Sequence, residues 1–197
     1  MLRFATLLLG SGLALGVSLG CSYRLADSDS PRVPIAVATL VNDTLEPGAE
    51  LAVGAALRRE FGRAGRLRLV EQPSPSGYAI AGRVAAIDTV GRTFTPGVRA
   101  LEYTVSMRLD LRVSDPDGRP VYIDPFATTA SEIYLASTDI EISRKNREEA
   151  LRRLSALIAA RVHGELQRNL AGRVARSERS ERGRFRGASD RRGGSTC

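Results

Sequence analysis

Residues 101–122 read LEYTVSMRLDLRVSDPDGRPVY. Leu101, Tyr103, Val105, Met107, Leu109 and Leu111 take alternate positions, and Thr104, Arg108, Asp110 and Arg112 fall mostly between them. Apolar residues at every second position mark an extended chain, whose side chains alternate between two faces. The stretch is therefore a long strand with one dry and one wet face. Ser114-Asp115-Pro116-Asp117-Gly118 closes it as a hairpin turn, because Asp-Gly tolerates the positive φ that such turns need.

Upstream, YAIAGRVAAIDTVG over residues 78–91 alternates through Ile80, Gly82 and Val84 and then becomes more uniformly apolar. The turn that follows carries the breaker pair Pro96-Gly97, so this strand and the next form a hairpin. Arg92 and Arg99 flank its Thr93–Val98 tip. Downstream, RPVYIDPFATTASEIYLA over residues 119–136 reads as a strand interrupted at Pro125, at an edge or a bulge. Asn146 then caps a helix, with Glu149 placed as in a capping box. Leu151, Leu154, Ile158, Val162, Leu166 and Leu170 make one apolar stripe along it.

Nearer the start, VPIAVATLV over residues 33–41 alternates as a strand, and NDTLEPG is turn chemistry. A helix over Gly48–Phe61 places Val53, Leu57 and Phe61 on one face. Its acidic Glu50 and basic Arg58 and Arg59 suit the helix dipole. RLRLVE over residues 66–71 is a short strand. The order strand, helix, several hairpin-linked strands, helix predicts an α+β two-layer sandwich. Two helices pack on one face of a mostly antiparallel mixed sheet of four to five strands.

Before this domain, Arg3 precedes Leu7–Gly20, which lacks any ionisable side chain. The run is shorter than the about 20 residues of a membrane-spanning helix. Residues 1–20 therefore read as a secretory signal. It ends at Ser18-Leu19-Gly20-Cys21, which resembles a bacterial lipobox, although Ser18 and Leu19 stand in reversed order. Cys21 is the candidate lipidation site, and acyl chains there would hold the exported chain on a membrane. Residues 21–31 form a polar tether, and 32–170 the folded domain.

The net charge is +7. Eight arginines and three acidic residues crowd the stretch from Arg173 onward. Residues 171–197, rich in Arg, Gly and Ser, are expected to be a disordered basic tail. It is a solubilising extension or an arm for an anionic surface; export argues against nucleic acid as a partner. Lys145 is the only lysine, a bias read as genomic base composition rather than as phosphate binding. With Cys21 acylated, Cys197 has no partner in the chain and no disulfide framework forms.

Few residues carry chemistry. His163, the only histidine, has no clustered ligands for a metal and no nucleophile motif to serve as base, so it reads as a solvated helix residue. Asp115 and Asp117 belong to a turn. No Gly-rich phosphate loop follows a strand. The residues point to a protein that is not an enzyme and needs no cofactor or metal.

The series CSYRL, VNDTLEPGAELAVGAALRREF, GRLRLVE, the Tyr-x-Ile-x-Gly-x-Val strand, EYTVSMRLDLRVSDPDGRPVY and a terminal amphipathic helix resembles the lipopolysaccharide-assembly lipoprotein family (LptE). The likeness runs from about Cys21 to Leu170. It departs from the family at Leu40, where an aromatic is usual, and in the extra tail. The resemblance implies a palmitate-bearing outer-membrane lipoprotein on the periplasmic face, working in cell-envelope biogenesis. It would plug a large β-barrel of the LptD type, help that barrel fold, and assist lipopolysaccharide into the outer leaflet. The implied partners are that barrel, lipopolysaccharide and the membrane. Arg92 and Arg99 are the candidate contacts to anionic lipid or the barrel lumen, with simple solubilisation of the hairpin as the other reading. A different outer-membrane assembly or scaffolding lipoprotein of the same fold is the alternative. An envelope hydrolase is disfavoured by the lack of a credible base or nucleophile.

Overall fold

The computed structural model describes residues 32–63, 65–94 and 100–190. Its centre is the strand expected from residues 101–122, here β5 (Ala100–Ser114), paired antiparallel with β4 (Tyr78–Phe94). Val105, Met107, Leu109 and Val113 are buried, while Arg108, Asp110 and Arg112 between them are exposed. The alternation in sequence is thus the inside and outside of the sheet.

On β4 the inward series slips by one residue. Val84 faces Leu109, and the next pairs are Ala86 with Arg108 and Ile87 with Met107. One extra residue on one strand is a β-bulge, which moves the apolar phase from Val84 to Ile87. That slip is why the sequence there loses its alternation. Two pairs earlier, Gly82 lies opposite Leu111. A Cβ at Gly82 would come within 2.2 Å of the Asp110 carbonyl oxygen and 2.9 Å of Leu111 Cα. Only glycine fits so close a backbone approach.

The remaining strands are β1 (Val33–Val37), β2 (Val41–Asn42), β3 (Leu67–Val70), β6 (Pro120–Val121) and β7 (Thr129–Leu135). β1 lies between β3 and β4 and is parallel to both, and β2 also runs parallel to β4. β6 and β7 pair antiparallel with β5. The strongly curled sheet has seven strands among the described residues, against the four to five expected. Two expected strands are each broken in two. Between Val37, paired with Ile80, and Val41, paired with Arg83, one extra residue separates β1 from β2. At the Pro125 interruption a single helical turn, α2 (Pro125–Thr128), separates β6 from β7; Asp124 Oδ1 caps it by accepting from the Phe126 N–H at 2.9 Å.

α1 (Ala49–Phe61) follows Gly48, which sits at φ 77°. Asn42 organises the turn before it. Its Nδ2 donates to Glu46 O at 2.7 Å and Glu50 Oε2 at 2.8 Å, and its Oδ1 accepts from the Thr44 N–H at 3.0 Å. α3 (Ile140–Asp190) begins before Asn146. Its cap is Asp139, whose Oδ1 accepts from the Glu141 N–H at 2.8 Å, while Asn146 Nδ2 donates to Leu135 O at 3.0 Å.

The stripe of Leu151, Leu154, Ile158, Val162, Leu166 and Leu170 is buried against Val53, Leu57 and Phe61 of α1 and the inward residues of the sheet. Each such side chain contributes about 1.5–3 kcal/mol by leaving water. The helix does not stop at Leu170, where the basic tail was expected to begin without structure, but continues to Asp190. Arg, Ala and Glu are good helix formers, and prolonging an existing helix requires no new nucleus.

Candidate functional site

Of the residues singled out by sequence, Cys21 and Arg99 lie outside the described residues. Arg92 is exposed near the end of β4. Beside it the Thr93 hydroxyl donates to Glu102 Oε2 at 3.0 Å across the hairpin.

Around this hairpin the two faces of the sheet differ. On the face opposite the helices, Val90 pairs with Thr104, which pairs with Ile133, and Leu135 lies opposite Glu102. Val90, Ile133 and Leu135 are exposed. Further along the same face stand the exposed Arg108 and Arg112. There Arg83 reaches Asp110 at 3.1 Å and Asp43 at 3.3 Å. A sheet face that carries uncovered apolar side chains next to guanidinium groups suits a partner with both apolar and anionic parts.

On the helix side, a cleft of about 730 Å³ opens between the hairpin and the first turns of α3. Tyr103 and Tyr134 stack in its wall with centroids 5.3 Å apart. Leu101, Ala136 and Ile140 continue the apolar lining, with Arg144 and Arg147 at the rim. Both cations have acidic partners: Arg147 pairs with Glu46, and Arg144 with Glu141 at 2.8 Å and with Glu148. Burial pushes the Tyr134 hydroxyl above the ordinary tyrosine range, against the opposing pull of Arg147. The cleft is thus apolar, with a charge-balanced rim.

At the opposite end of the sheet lies a contact that local sequence patterns miss. Asp115 is buried in the turn after β5. Its Oδ1 accepts from the N–H groups of Asp117 at 2.9 Å and Arg119 at 2.8 Å, and its Oδ2 accepts from Arg173 of α3. Hydrogen bonding to Arg173 is the chief cause that holds the Asp115 carboxyl below the usual range, against desolvation. The only sequence signal was the Asp115-Pro116-Asp117-Gly118 turn itself. Its partner lies 58 residues away, in the segment read as tail.

His163 is half-buried rather than solvated. Its ring meets Phe61 edge-on at 5.3 Å and its Nε2 lies 3.2 Å from Gln167 Nε2, so it packs between α1 and α3. Among the described residues no cluster of three His, Cys, Asp or Glu side chains is arranged to hold a metal, and no helix is long and apolar enough to cross a membrane.

The model of the LptE family, described as lipopolysaccharide-assembly, matches residues 33–176 of the chain. No curated protein matches it. Among solved structures, an uncharacterized lipoprotein B from Nitrosomonas europaea aligns with a TM-score of 0.51 at 14% identity, covering 72% of this chain and 86% of that one. The rare lipoprotein B from Shewanella oneidensis aligns with a TM-score of 0.47 at 13% identity, covering 73% and 98%. A putative lipoprotein from Caulobacter crescentus gives 0.47 at 20% identity, covering 70% and 91%. At these identities the Nitrosomonas likeness speaks for the fold alone.

Proposed function

The chain belongs to the LptE lipopolysaccharide-assembly family, and on that premise we propose that it is a lipid-anchored, non-enzymatic plug and folding partner of an outer-membrane β-barrel of the LptD type. Cys21 carries the acyl chains, and the folded domain faces the periplasmic side of the outer membrane. One observation carries the plug reading: the helix-free face of the sheet leaves Val90, Ile133 and Leu135 uncovered, with the exposed Arg108 and Arg112 farther along the same face. An uncovered apolar patch of this kind marks an interaction surface. The lumen of a large barrel is polar, so arginines on that face find partners there. Lipopolysaccharide adds phosphate groups that guanidinium binds in bidentate fashion. Arg92 and Arg99 are the candidate first contacts to that phosphate.

The test is affinity capture of the tagged full chain from detergent-solubilised outer membrane. A barrel of the LptD type is expected at near-equal stoichiometry. Capture of a different assembly complex without such a barrel would overturn the plug reading in favour of a scaffolding lipoprotein.

A further inference from the structure

Three strand ends meet at one end of the domain. β1 begins at Val33, and Ile35 pairs with Tyr78, the first residue of β4. Ala79 pairs with Ser114, the last residue of β5. Arg173 of α3 grips Asp115 just after that strand. The opposite end of the sheet receives the start of α3, because Ala136, shortly before it, donates to Leu101 O at 2.9 Å. α3 therefore runs toward the end at which the chain enters β1, and passes the edge of the sheet near Arg173.

Residues 174–190 continue the helix beyond that point, a length of about 26 Å at 1.5 Å per residue. Their sequence contains Arg176, Arg179, Arg182, Arg184 and Arg186 against Glu178, Glu181 and Asp190. The tether between Cys21 and Arg32 is connected to the same end of the domain and spans at most about 35 Å when extended. A surface that holds an acyl group on Cys21 is therefore within reach of both.

We infer that α3 beyond Arg173 is a second, electrostatic membrane contact, which presses the anchored end of the domain against anionic phospholipid headgroups. The choice of surface rests on the lipid-anchor reading of Cys21. The physical logic is that of two weak signals acting together: acyl chains fix the distance, and a polybasic segment adds attraction that salt screens.

The test uses the full mature chain with Cys21→Ala, so that acylation plays no part. Sedimentation is measured with vesicles of phosphatidylcholine alone and with phosphatidylglycerol added. Binding is expected to the anionic vesicles only, and to weaken with added salt. Changing Arg176, Arg179, Arg182, Arg184 and Arg186 together to Gln should lower that binding at least about a hundredfold. A chain ending at Arg173 should lose it equally, and both variants should melt with the parent. Equal binding to neutral vesicles, undiminished binding by either variant, or binding to lipopolysaccharide micelles but not to phosphatidylglycerol vesicles would each overturn the inference. Whether Cys21 is acylated is read separately, from the mass of the chain isolated from membranes. Failure of the anchor reading is thereby distinguished from failure of the helix contact.

Discussion

Replacing Gly82 by Val tests the packing that shapes the long hairpin. The ideal Cβ would sit 2.2 Å from the Asp110 carbonyl oxygen and 2.9 Å from Leu111 Cα. Both obstacles are backbone, so no side-chain rotation relieves them. β4 and β5 must separate at this point, next to the buried Ile80–Val113 and Val84–Leu109 pairs. Overpacking costs about 1–3 kcal/mol, and a ladder hydrogen bond stretched out of range adds about 1 kcal/mol. The expected loss is about 2–4 kcal/mol, or roughly 6–15 °C in melting temperature for a domain of this size. Gly164→Ala is the matching control. A Cβ there meets only Arg168 Nη1 at 3.7 Å, and the site lies inside α3, so the change should stabilise by about 0.5–1 kcal/mol. Thermal melts by circular dichroism, with urea unfolding alongside, measure both. A Gly82→Val domain that melts within about 2 °C of the wild type would refute the close-approach argument.

Truncation after Arg173 should leave the melting temperature unchanged, whereas truncation after Leu170 should lower it, because Asp115 then stays buried without its cation; equal melts would remove the Arg173 contact from the fold. The Asp115 carboxyl is depressed in the folded state, so its contribution is fully present above about pH 4 and is lost as pH falls through the folded value. Arg173→Met should therefore flatten the acid limb of the stability–pH curve, as followed by urea unfolding; an unaltered limb would contradict the pairing. Leu154→Ala, at a fully buried position between α3 and the sheet, should cost about 2–5 kcal/mol; a smaller loss in denaturant unfolding would mean that the site collapses to fill the void. The double change Arg92→Ala, Arg99→Ala should weaken lipopolysaccharide binding and reduce its salt dependence. Equal affinity and equal salt response in a titration would exclude these residues.

What sequence could reveal divides along physical lines. Strand β5 and the α3 stripe are one-dimensional patterns of periods two and near four; burial follows them at Val105, Met107 and Leu109 and along the whole α3 stripe, while Leu101 at the start of the strand is exposed. The fold class came from their order. The bulge at Ala85 was visible only as a loss of alternation, because a phase slip and a uniformly apolar strand look alike without the partner strand. The break at Pro125 was legible as an interruption; its resolution into a capped turn depends on the Asp124 side chain bonding locally. The true cap of α3 was missed because both Asp139 and Asn146 are good cap residues, and tertiary contacts decide between them. The Tyr103–Tyr134 stack and the Arg173–Asp115 pair join distant segments, and no local periodicity encodes such contacts. Composition alone made the stretch after Leu170 a tail, since Arg and Ser content says little about whether a preceding helix continues.

The most direct measurement of the central claim is the amount of lipopolysaccharide on the cell surface after the chain is depleted from growing cells. Participation in its assembly predicts that surface lipopolysaccharide falls while the total made does not. Re-expression of the full chain should restore it, and a Cys21→Ala chain should restore it less well. Unchanged surface lipopolysaccharide in fully depleted cells would contradict the account.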